Sequence, residues 1–111
     1  MATNFIQEGE ILTLTAPYTR TSGQGALVGS IFGVALVDVS SSAEASFATE
    51  GVWTLAKTSQ QAWVTVGSKI YWDDSAKECT TTSSANTLIG VNVATAANPS
   101  STGRVRLNGV F

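Results

Sequence analysis

Histidine is missing altogether from these 111 residues, and Cys79 is the single cysteine. The usual imidazole and thiolate ligand sets for zinc or iron are therefore out of reach. No intrachain disulfide can form, and a nucleophilic thiol at Cys79 would lack its usual activating base. Charge is scarce as well: six Lys and Arg stand against eight Asp and Glu, a net charge of −2. A nucleic-acid binder carries a basic patch or stripe, whereas here only Arg104 and Arg106 lie close in sequence, so no nucleic-acid partner is expected. No apolar run approaches the ~20 residues that span a bilayer as a helix, so no membrane partner is expected either. Met1 to Phe5 shows neither the basic region nor the apolar core of an export signal, and folding inside the cell is the expectation. A phosphate loop is lacking too. Gly67-Ser68-Lys69 has the residue types, but in the wrong order and followed by the strand-like Ile70-Tyr71-Trp72 rather than a helix.

What the chain does contain is a phrase written twice, Gly29-Ser30-Ile31-Phe32-Gly33-Val34-Ala35-Leu36 and Thr87-Leu88-Ile89-Gly90-Val91-Asn92-Val93-Ala94. Each is a β-branched apolar run broken by one glycine, which reads as a buried strand where a bulge or a neighbouring backbone needs the missing side chain. Eight candidate strands follow at short intervals: Glu10 to Thr15, Gly25 to Val28, Ile31 to Val39, Ala45 to Leu55, Lys69 to Trp72, Lys77 to Thr81, Thr87 to Ala94, and Arg104 to Asn108. Turn-forming stretches separate them, among them Ser40-Ser41-Ser42, Asp73-Asp74-Ser75 and Asn98-Pro99-Ser100-Ser101. The pattern predicts an all-β fold, a compact single-domain barrel or sandwich with little helix. Residues 1–8 are read as a flexible N-terminal arm and 9–111 as the β-domain. A short helical turn around Lys57 to Trp63 is conceivable but uncapped.

Alternation assigns faces. Val105 and Leu107 point one way, Arg104, Arg106 and Asn108 the other. The segment Phe47 to Leu55 puts Phe47, Trp53 and Leu55 on a common face, with Gly51 permitting a bulge between them. Lys69 to Lys77 reads as one hairpin whose Asp73-Asp74 turn supplies its own hydrogen bonds. General acid and base work needs two carboxyl groups converging on one site, and neighbours in a turn do not guarantee that, so Asp73 and Asp74 are read as turn caps. Glu8 and Glu10 are read as a solvated strand entry rather than a cation site, and Cys79 as a half-buried strand residue. No catalytic residue, metal or cofactor is expected. The 28 serines and threonines, three tryptophans and sparse charge suit a domain that hides surface against partners, because interfaces favour aromatics and deplete lysine and glutamate. Trp53 and Trp72 are assigned to the core, and Trp63, beside Gln60-Gln61-Ala62 in an expected loop, to an interface.

Six phrases in order, Phe5 to Leu12, Val28 to Ala35, Thr49 to Trp53, Gly67 to Asp73, Leu88 to Val91 and Val105 to Gly109, resemble the tailed-phage family of small capsid cement, or head decoration, proteins. The resemblance runs nearly end to end. Some members carry a recombinase label, which the missing phosphate loop contradicts here. What the resemblance implies is a structural virion protein, not an enzyme, made in the bacterial host cytoplasm. It would bind the major capsid protein on the outside of the expanded shell, usually as a homotrimer, and bridge capsid subunits. A dimer stays open. On that reading Thr3, Asn4, Phe5 and Ile6 contact the capsid, while Trp63, Val110 and Phe111 lie at or near the subunit interface. Alternatives are another phage component of the tail or head completion, or a small glycan-binding module built on Tyr18, Tyr71 and Trp63 if these lie exposed together.

Overall fold

The computed structural model describes residues 11–108. Among them there is no helix, and nine strands form two antiparallel sheets. The first has the order β1-β4-β3-β2, from β1 (Ile11–Thr15), β2 (Gly25–Val28), β3 (Ile31–Ala35) and β4 (Glu44–Ala48). The second has the order β5-β9-β8-β6-β7, from β5 (Glu50–Ala56), β6 (Lys69–Asp73), β7 (Glu78–Thr80), β8 (Thr87–Asn92) and β9 (Thr102–Asn108). The all-β expectation holds, and the Lys57 to Trp63 segment is extended chain and turn rather than helix.

The second sheet curls until its edges meet. Just after β5, Lys57 forms a parallel bridge with Cys79 of β7, and the Thr58 N–H donates to the Cys79 carbonyl at 2.9 Å. A small five-stranded barrel results, which leaves its edge strands covered. Inside it lie Leu55, Ile70, Trp72, Ile89, Val105 and Leu107, joined by Phe32 and Val34 from the first sheet. The Phe32 and Trp72 rings, 4.9 Å apart, weld the two sheets into one core.

Both repeated phrases are strands pressed against a neighbour at their glycine. A Cβ on Gly90 of β8 would collide with the Arg106 carbonyl of β9, and one on Gly33 of β3 would come within 2.9 Å of the Phe47 Cβ. The hairpin reading of Lys69 to Lys77 also holds. Asp73 Oδ1 accepts from the Ser75 and Ala76 amides, and its carbonyl accepts from the Lys77 amide at 2.7 Å.

One expected strand is two. Ala45 to Leu55 breaks at Thr49, where the chain crosses from the first sheet to the second: Ala48 pairs with Ile11 and Val34, whereas Glu50 pairs with Asn108. Phe47 therefore belongs to a separate cluster under the first sheet with Ala16, Ala26, Ala35, Val39 and Ala45, and does not share a face with Trp53 and Leu55.

Candidate interaction surface

Polar chemistry in the described residues goes into holding loops, beginning with the hairpin turn. The Tyr18 hydroxyl donates to Asp74 Oδ1 at 2.7 Å and accepts from the Leu27 N–H at 3.0 Å, which ties the β1–β2 connection, the edge of the first sheet and the β6–β7 turn together. Trp72 Nε1 also donates to Asp74, at 3.0 Å, and the Lys77 ammonium lies 4.2 Å from the centre of the Tyr18 ring. Burial pushes the Asp74 carboxyl up, but the bonds from Tyr18 and Trp72 and the Lys77 charge outweigh it and hold the group below the ordinary range. For Tyr18, burial and the neighbouring carboxylate outweigh the Leu27 bond and hold the phenol above its usual value. Asp73 caps the turn as the sequence suggests, whereas Asp74 latches it to Tyr18 and Trp72 instead of capping it, and the described residues contain no cluster of three or more His, Cys, Asp or Glu fit to hold a metal.

Cys79 is fully buried, and burial, with a small push from the Glu78 charge, raises its thiol to about 12. A thiol held protonated in this way is a poor nucleophile.

Lys57 is a side chain that the sequence reading passed over. Only 2% exposed, its ammonium donates to the carbonyls of Thr58 at 2.8 Å, Ser100 at 3.1 Å and Ala97 at 3.5 Å. It sits at the barrel seam and holds the β8–β9 connection onto it. A lone lysine between Ala56 and Thr58 gives no sequence signal of burial.

Trp63 does not stand on the surface. Its indole is 1% exposed and packs in the barrel core over Gly103, where a Cβ would strike the ring. Its Nε1 donates to Gln61 Oε1 at 3.0 Å, and its backbone exchanges two hydrogen bonds with Ala96, both 2.8 Å. Asn92, also fully buried, clamps the far side of the same loop: its Oδ1 accepts from the Ser68 amide at 2.8 Å and its carbonyl from the Gly67 amide at 2.9 Å. Between these two anchors the loop presents Val64 and Val66, 78% and 58% exposed. A recess of about 510 Å³ lies alongside, lined by Trp63, Val64, Lys69 and Tyr71 among others. Tyr18 is not part of it, so the three aromatics of the glycan alternative do not come together.

A second apolar recess, about 410 Å³, opens where the sheets part and is lined by Ile11, Leu36, Ala48, Glu50, Gly51 and Trp53. Trp53 is half-buried there, with its Nε1 donating to the Glu50 carbonyl at 2.9 Å. Asn108, the last described residue, pairs with Glu50 at this rim. The expected capsid contacts Thr3, Asn4, Phe5 and Ile6, the carboxylates Glu8 and Glu10, and the expected interface residues Val110 and Phe111 all lie outside the described residues.

No curated protein and no solved structure matches the chain at a significant level. The family model of the phage cement proteins matches residues 6–107, nearly the whole length. Loops pinned from inside, an unreactive buried thiol and apolar side chains left facing outward suit the structural role that this description names, and the chain belongs to the phage cement protein family, with a part in the phage capsid.

Proposed function

We propose that the protein binds the outer surface of the expanded phage capsid and stabilises it by bridging neighbouring capsid subunits. The observation that carries this reading is the family match over residues 6–107. Supporting it is a scaffold whose loops are held from within while apolar residues face solvent. Bridging needs no catalytic group. It needs a rigid body repeated over a lattice, so that modest affinity at each site adds up through multivalency. A ligand that binds only the expanded lattice stabilises that state by mass action.

In this reading Thr3, Asn4, Phe5 and Ile6 make the capsid contact, adding a strand to an exposed edge of the capsid protein. The protein acts as a closed oligomer, a trimer by preference. Trp63 contributes to the subunit interface through the loop it anchors, with Val64 and Val66 as the contacting side chains. Val110 and Phe111 belong to the same interface in this reading. Two experiments test the reading. Expanded heads stripped of the protein should release DNA at a lower temperature, and purified protein should restore their resistance; unchanged release on re-addition would refute the stabilising role. Deleting residues 2–6 should abolish head binding and leave the oligomer intact, and normal decoration by the truncated protein would refute the arm.

A further inference from the structure

The six cations of the chain divide into two groups of three. Arg20, Lys57 and Lys77 are engaged inside the fold: Arg20 donates to the Thr19 and Gly25 carbonyls, Lys57 to its three carbonyls, and Lys77 pairs with Asp74. Lys69, Arg104 and Arg106 are exposed, and no ion pair with a described residue holds any of them.

These three share one outer face of the barrel. Lys69 stands opposite Val91, Val91 opposite Arg106, and Arg106 opposite Val52, so a single row crosses β6, β8, β9 and β5. With neighbouring strands about 4.8 Å apart, the row extends roughly 14 Å. Arg104, two residues from Arg106 and opposite Thr54, adds a third cation on the same face. Val52 is 56% exposed. Glu50, at the end of the β5 column, forms no ion pair with Arg106.

A chain of net charge −2 thus gathers half its cations, with no ion pair to any described residue, on one sheet face beside the half-buried Val91 and the exposed Val52. We propose that this face docks an acidic, partly apolar protein surface, and, resting on the function proposed above, that the outer surface of the capsid lattice supplies it. Charge complementarity steers the encounter and fixes orientation, while the valines bury apolar area once contact is made. Phosphate backbones reward a contiguous basic patch or stripe. This row alternates cation with valine instead, which favours a protein partner.

The test is co-sedimentation with expanded heads over a range of salt, comparing the wild type, the double variant Arg104→Glu/Arg106→Glu, and Arg104→Lys/Arg106→Lys as the charge-preserving control. Lys69→Glu reads the same face from another strand should the double variant fail to fold. The expected result is wild-type binding that weakens as salt rises, loss of most pelleting on charge reversal, and retention in the lysine control. Reversal variants that pellet like the wild type, with the same salt dependence, overturn the docking face and leave the capsid function standing. A wild type that pellets with no head removes both. A change in oligomeric state of the free reversal variants would make the face a contact between copies, and salt-sensitive retention of duplex DNA by the wild type would make the partner nucleic acid; either result overturns the proposal.

Discussion

At Tyr18 one hydroxyl serves both sheets, and removing it shows what the latch contributes. Tyr18→Phe keeps the ring and deletes the bonds to Asp74 and the Leu27 amide. Leaving a partly buried donor unmet costs about 1–3 kcal/mol, so a loss in that range is expected from urea unfolding. The acid side of the stability profile should change too. Asp74 is held below its ordinary range, so its contribution is present above the unfolded carboxyl value and fades as pH falls through the lowered one. With the Tyr18 bond gone, that acid-side loss should flatten. Cys79 has the opposite sign. Its folded thiol keeps the proton to about 12 while the unfolded one releases it near 9, so the stabilisation is intact below pH 9 and lost as pH climbs above it. Thiol reagents should label the native protein only as it unfolds, and the stability gap between wild type and Cys79→Ala should narrow in alkali. Rapid labelling of the folded protein would contradict the burial.

At the scale of the elements, two positions govern how the barrel closes. Gly90 lets β8 lie against the Arg106 carbonyl. Forcing atoms into a packed site costs about 1–3 kcal/mol or more, and Gly90→Ala should lower the denaturation midpoint accordingly, because the added Cβ meets the Arg106 carbonyl. Lys57→Met keeps the length of the stem and removes the ammonium from the Thr58, Ser100 and Ala97 carbonyls, of which Ala97 keeps the Ser100 hydroxyl as donor. Faster amide hydrogen exchange at Ser100, whose N–H bonds the Ser59 carbonyl across the seam, should report the loosened connection before the rest of the barrel. Exchange at Ser100 equal to that of the wild type would show that the ammonium does not hold it.

Much of this architecture was legible because period two and broken apolar runs are written locally. The hairpin at Asp73, the alternation of Val105 and Leu107 with the two arginines, and the crowded glycines at 33 and 90 all follow from neighbours in sequence. The sheet crossing at Thr49 was not legible. Ala45 and Phe47 before it and Trp53 and Leu55 after it stay in phase, so the pattern continues unbroken while the pairing partners change. Trp63 was misplaced for a related reason: a polar stretch predicts a loop, but the ring's burial depends on Gly103, forty residues away and across the barrel. The exposed face with Lys69, Arg104 and Arg106 likewise needs the register between strands, which no spacing along the chain records.

For the whole molecule, Lys57, Asn92 and Cys79 are buried, while exposed valines and the cations Lys69, Arg104 and Arg106 face outward. Such a body is suited to holding two things together. The most direct test is pelleting of the purified protein with empty expanded heads of the encoding phage, with unexpanded procapsids as the control. Saturable pelleting with expanded heads alone is the predicted result, with a bound copy number that is a whole multiple of the oligomer at each lattice position. Equal binding to both particles would contradict selectivity for the expanded shell, and pelleting with neither would contradict the cementing role itself.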